Sequence, residues 1–156
     1  MKYIVLAVVI ALAIFYFARN EINKRAAVEN IAIGKDFLAK NKANEDVLET
    51  ASGLQYQVLQ KGQGSEHPSA STTVKVHYHG MLLDGTVFDS SVDRGEPISF
   101  PLNQVIKGWT EGVQLMVVGD KFKFFIDSEL GYGTRATGKI TSGSLLIFEV
   151  ELLEIQ

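Results

Sequence analysis

The chain has 156 residues, 46% of them hydrophobic and 21% charged, which fits one folded domain with appendages. Its net charge of −3, with no basic cluster, argues against nucleic-acid binding. It has no cysteine, which excludes disulfides, thiolate nucleophiles and Cys-ligated metals.

The first predicted element is an uncharged run, "YIVLAVVIALAIFYFA", Tyr3 to Ala18. As a helix it would span about 24 Å at ~1.5 Å per residue. A bilayer core is about 30 Å thick, so the run spans it with thinning or with snorkelling by Arg19. A cleaved signal peptide is the competing reading. Its Ala-x-Ala site would be Ala11-Leu12-Ala13, and cutting there would leave Ile14-Phe15-Tyr16-Phe17 at the new terminus. A retained signal anchor over residues 1–19 is therefore favoured. Lys2 before the run and Arg19, Lys24 and Arg25 after it nearly balance the positive-inside rule. Placement of the following residues in the periplasm, with the anchor in a bacterial inner membrane, rests on the usual export role of such segments.

Residues 20–51 read as a helical linker. Val28, Ile31, Lys35 and Leu38 recur three or four apart beside Phe37, giving a mostly apolar stripe weakened by Gly34. Packing of this stripe on the domain is favoured over dimerisation through it. "NKANEDVLETASG", Asn41 to Gly53, is polar and connecting.

The period then changes to two. "LQYQVL" alternates as a half-buried strand, and "TVKVHYHGML" puts Val74, Val76 and Tyr78 on one face with Lys75, His77 and His79 on the other. Asp84-Gly85 is a hairpin signal. "KFKFFI" and "SLLIFEVELLEI" are further strands. "QVIKGWTEGVQLM" is the one internal helix, with Trp109, Val113 and Met116 at i, i+4, i+7 and Gly112 permitting a close approach. Antiparallel strands with one covering helix predict an α+β domain over residues 52–156.

The chemistry-bearing candidates are few. His77 and His79 share a strand face and could bind one ion together, but zinc needs three or four ligands, and His67 lies in a Ser/Pro loop. A solvent-facing histidine pair is the simpler reading, with no metal and no cofactor. Ser90 and Ser91 lack a nucleophile elbow. "GYGTRATGK" lacks the phosphate-loop pattern. Asp89 and Asp93 have no special spacing. The aromatics stand out instead: Tyr78, Phe88, Phe100, Trp109, Tyr132 and Phe148 occupy every element of a small domain.

The motifs "VKVHYHGMLLDGTVFDSSVDRGEPISF", "VIKGWTEGVQLMVVGDKFKFFI", "LGYG" and "LLIFEVELLEI" resemble the FKBP-type peptidyl-prolyl cis–trans isomerases, from about Ser52 onward. The segment before them resembles the linker of bacterial members related to the macrophage infectivity potentiator, with an apolar anchor in place of their dimerisation domain. The resemblance implies a five-stranded antiparallel sheet wrapped around one short helix. It implies catalytic positions at Tyr78, Phe88, Asp89, Ile106, Trp109 and Tyr132. It places substrate contacts at Arg94, Ile98, Phe100, Val105, Ile140 and Phe148. Proline-containing unfolded or partly folded polypeptides are the implied partners, and macrolides of the tacrolimus type the implied inhibitors. An anchored chaperone or peptide-binding module with little isomerase activity is the alternative. Two departures stand out. Many relatives have an aromatic where this chain has Ile98, and Ile-Pro-Pro where it has Ile140-Thr141-Ser142.

Overall fold

The computed structural model describes residues 2–156, without the side chain of Lys2. A single unbroken helix, α1 (Lys2–Asn41), joins the apolar run to the domain. It contains no proline, and Gly34 is its only glycine, so nothing in the sequence forces a kink. By length and composition it could cross a membrane: its most apolar 18-residue stretch has a mean hydropathy of 2.0 and is wholly unburied.

The lower half of α1 packs on the domain, with a face shifted from the one the apolar spacing predicts. Val28 and Lys35 are exposed. The covered residues are Ala27, Gly34 and Asn41, with Ile31 and Leu38 half-buried between them. The small residues win because the backbones come close. A Cβ on Gly34 would lie 3.2 Å from the Leu145 Cβ, and one on Gly143 would lie 2.6 Å from the Ala27 carbonyl oxygen. Gly143 also holds φ at +75°, where a side chain is strained.

The strands are β1 (Val47–Glu49), β2 (Gln55–Gln60), β3 (Thr73–Leu82), β4 (Val87–Ser90), β5 (Ile98–Pro101), β6 (Lys121–Ile126) and β7 (Leu146–Ile155). They form one antiparallel sheet in the order β1-β2-β6-β7-β3-β4, with β5 also on β3. The sheet thus has seven strands where five were expected. Two things account for the difference. β4 and β5 pair with successive parts of β3 and form one interrupted edge. β1 is the true addition: part of the polar connection pairs with β2, Leu48 opposite Tyr56.

The concave face holds the main core, including Val74, Val76, Tyr78, Phe122, Phe124, Ile126, Phe148 and Val150. It wraps α3 (Lys107–Val113), which is shorter than its apolar pattern suggested; Met116 is fully buried beyond its end. Gly108 and Gly112 bring α3 onto β6. A Cβ at Gly108 would lie 2.7 Å from Ile126, and one at Gly112 2.6 Å from Phe124. On the other face Phe125, Leu145 and Ile147 form a second cluster with Phe37 and Leu38 of α1. One further helix, α2 (Ser91–Arg94), was not expected. It is capped by the Ser90 hydroxyl, which accepts from the Asp93 N–H at 3.1 Å, and closed by Gly95 at φ +73°.

Candidate active site

Between α3 and the sheet's concave face opens a cavity of about 860 Å³. Eleven of the twelve residues expected to make a site line it: Tyr78, Phe88, Asp89, Ile98, Phe100, Val105, Ile106, Trp109, Tyr132, Ile140 and Phe148. The twelfth, Arg94, lies outside the lining but bonds to two of its members.

Trp109 faces the sheet from the first turn of α3, with 5% of its surface exposed. Three rings hold it. Tyr78 meets it edge-on at 5.2 Å and 87°, Phe148 at 5.1 Å and 87°, and Phe100 tilted at 5.4 Å. Edge-to-face pairs at such distances contribute about 0.5–1.5 kcal/mol each beyond burial. The Trp109 indole N–H has no protein partner among the described residues. The Ile106 N–H, at the start of α3, likewise has no acceptor among the described residues.

Phe88 and Asp89 are consecutive on β4, so a regular strand would send them to opposite faces. Both nevertheless line the cavity. The cause is a break in register: Gly80 pairs with Asp89 but Met81 with Val87, leaving Phe88 as an extra residue. Gly80 makes room for it. A Cβ there would lie 2.7 Å from the Phe148 ring and 2.8 Å from the Phe88 ring, which meet edge-on at 5.3 Å. Gly80 was not singled out from the sequence, although a glycine inside an alternating strand is the signal for such an approach.

The polar wall is a three-membered network. The Tyr78 hydroxyl donates to Asp89 Oδ2, and Arg94 Nη1 donates to Asp89 Oδ1. Arg94 Nη2 donates to the Tyr78 oxygen at 3.1 Å, with its guanidinium carbon 5.8 Å from the Tyr78 ring centre. Burial, then the hydrogen bond to Asp89, raises the Tyr78 phenol above its ordinary value of 10.0. Burial alone would raise Asp89, but the bonds from Tyr78 and Arg94 and the Arg94 charge hold it below 3.8. The bonds to Tyr78 and Asp89 raise Arg94 further, so the pair stays ionic.

His77 and His79 are not solvent-facing bystanders. They are half-buried, and each Nδ1 lies 2.7 Å from a serine hydroxyl, His77 from Ser91 and His79 from Ser90. They point away from the cavity, on the face opposite Tyr78. Six charged or polar members of the lining were also not anticipated: Gln104, Lys107, Glu129, Arg135, Thr137 and Lys139.

Comparison with known proteins bears on the family and the fold. The family model for the FKBP-type peptidyl-prolyl cis-trans isomerase matches residues 64–153. A model for the domain amino-terminal to that isomerase matches residues 9–58. An FKBP-type peptidyl-prolyl cis-trans isomerase FkpA of Aeromonas hydrophila is 57% identical over 141 residues, covering 88% of this chain and 52% of that protein. An FKBP-type 22 kDa peptidyl-prolyl cis-trans isomerase of Escherichia coli is 52% identical over 125 residues, covering 80% and 60%. The chain thus spans between half and three-fifths of these curated relatives. The crystal structure of FkpA from Escherichia coli superposes with a TM-score of 0.85 at 39% identity, over 95% of this chain and 71% of that one. With matched residues running through every strand that frames the cavity, the chain belongs to the FKBP-type peptidyl-prolyl cis-trans isomerase family.

Proposed function

We propose that the chain accelerates cis–trans isomerisation of X–Pro bonds in folding polypeptides, an activity of class EC 5.2.1.8. The observation that carries this reading is the cavity itself: four packed rings, one ionic wall and an Ile106 N–H with no acceptor among the described residues, in one cleft.

The chemistry requires little more. Rotation about the amide crosses ~18–20 kcal/mol because the twisted bond loses resonance. Uncatalysed exchange takes tens to hundreds of seconds. Reaching about the millisecond range needs roughly 6–7 kcal/mol of transition-state stabilisation at 1.36 per tenfold. No bond is broken. An apolar pocket disfavours the planar, charge-separated amide more than the twisted one. In this reading Trp109 seats the pyrrolidine ring. The free Ile106 N–H and the Tyr132 hydroxyl hold substrate carbonyls in the twisted geometry. Phe88, Asp89 and Tyr78 form the wall beside the rotating carbonyl, and Arg94 fixes Asp89. Ile98, Phe100, Val105, Ile140 and Phe148 shape the apolar surround.

The remaining assignments extend this reading. Residues 1–19 act as a membrane anchor, supported by the exposed apolar side chains from Tyr3 to Phe17. Residues 20–51 form the linker, and residues 52–156 the isomerase domain, facing the periplasm. Macrolides of the tacrolimus type compete for the pocket. Holding of unfolded chains, as a chaperone does, accompanies or replaces catalysis.

The test is exchange spectroscopy on a short proline peptide with the full chain in detergent, with and without such a macrolide. Macrolide-sensitive acceleration supports the isomerase. Suppressed aggregation of an unfolded protein without acceleration supports the binding module. Phe88→Ala should weaken macrolide affinity while the fold, followed by circular dichroism, is kept. Fractionation of the full-length protein tests retention of the anchor, and protease added to intact spheroplasts tests its sidedness.

A further inference from the structure

The aromatic floor of the cavity is bordered by charges of both signs, with cations in the majority. Three cations line it: Lys107, Arg135 and Lys139. Each is close in sequence to a residue of the pocket wall. Lys107 directly follows Ile106. Arg135 closes a turn in which its N–H bonds the Tyr132 carbonyl at 3.1 Å. Lys139 sits at the tip of a tight hairpin in which Thr137 and Ile140 exchange backbone bonds at 3.0 and 2.9 Å. These turns fix where the backbone carries the charges, while the exposed side chains reach outward.

The lining also holds two carboxylates, which offset the three cations only in part. Asp89 is already bound by Arg94. Glu129 is exposed and shares the Lys35 ammonium, 3.9 Å away, with the nearer Asp127 at 3.4 Å. None of the three cations has an ion-pair partner among the described residues. The chain as a whole carries a net charge of −3, so this basic border runs against the sign of the molecule. Unpaired cations around an apolar floor attract a ligand that brings an apolar ring and nearby negative charge.

We infer that the preferred substrates are X–Pro segments with aspartate or glutamate within two residues of the proline, held by Lys107, Arg135 and Lys139. This rests on the isomerase reading above and names its substrate class. The cations are exposed, so the effect is moderate and salt-sensitive.

The experiment uses the full chain and three hexapeptides with a constant Leu-Pro centre. The residues flanking that pair are both Glu, both Gln or both Lys. Exchange spectroscopy gives kcat/KM, and chemical-shift titration gives affinity. At low ionic strength the Glu peptide should exceed the Lys peptide by about three- to tenfold, with Gln between. The ratio should collapse toward one in about 1 M salt, where the screening length is near 3 Å. The double variant Arg135→Glu, Lys139→Glu should invert the order. Equal kcat/KM and equal affinity for all three peptides, with catalysis intact, would overturn the acidic preference and leave the isomerase standing. Tighter binding of the Glu peptide without catalysis would support the preference and overturn the isomerase.

Discussion

The Asn30 side chain on α1 donates to the Ser142 carbonyl at 2.9 Å, across 112 residues of sequence. The same amide reaches the Thr141 hydroxyl at 3.3 Å. The Ser142 hydroxyl in turn donates to the Thr134 carbonyl. The loop that follows Ile140 is thus fastened by a side chain from α1 and by one of its own. Asn30→Ala should release it. Loss of one such bond is worth roughly 1 kcal/mol, so amide exchange at residues 139–144 should quicken about fivefold. Hydrogen–deuterium exchange checks this. Unchanged protection would mean that packing of Ile140 alone orders the loop.

The Tyr78–Asp89–Arg94 network sets a pH window. Asp89 is held below its usual value when folded. Its contribution is therefore present above the unfolded carboxylate value, about 3.9, and lost as pH falls through the lower folded value. Tyr78 is raised above 10.0. Its contribution is full below that value and lost as pH rises through the higher folded one. Stability and catalysis governed by this wall should be level from about pH 5 to pH 9. Asp89→Asn should shrink the acid limb of the stability profile, measured by denaturant titration at each pH, and leave the part that Asp84 and Glu154, also held low, contribute. An acid limb of equal size in the variant would assign it elsewhere.

Gly80→Ala should damage the pocket from beneath. The added methyl meets the Phe148 and Phe88 rings under 3 Å away. Overpacking of this kind costs about 1–3 kcal/mol. The rings must part, so macrolide affinity should fall along with the midpoint of unfolding. A variant of normal affinity would show that the bulge at Phe88 absorbs the methyl.

His77→Ala with His79→Ala should leave kcat/KM for a neutral proline peptide within about twofold, since the pair lies on the far face of β3. Stability should drop by roughly 1–2 kcal/mol in total, because the Ser91 and Ser90 bonds are lost. A larger loss of activity would mean that α2, which Ser90 caps, transmits to Arg94.

The alternation of Val74, Val76 and Tyr78 and the Asp84-Gly85 turn were legible because period and turn chemistry are local. Leu82 and Thr86 close that turn with a bond of 2.9 Å. The ring positions of the site were legible through family resemblance, since each alone would pass as core. The covered face of α1 was not. Apolar periodicity weighs Val28 above Ala27 and Gly34, whereas contact with Gly143 and Leu145, more than a hundred residues on, rewards small side chains. The bulge at Phe88 depends on which strands pair, and so does the joining of β1 to the sheet. The basic border is assembled by turns that hold Lys107 and Lys139 on one cleft although they lie far apart in the chain.

The unbroken course of α1 has a geometric consequence. From Arg19 to Ala27, the first residue buried on the domain, the helix advances about 12 Å. If the apolar half lies in a bilayer, the domain rides on a stiff mast with no swivel, and the pocket keeps a fixed compass bearing relative to the lipid. One extra residue between Asn20 and Ala26 would turn that bearing by about 100° while raising the domain only ~1.5 Å. Which emerging chains the mouth of the cleft can meet is then decided by the phase of a helix that never touches them.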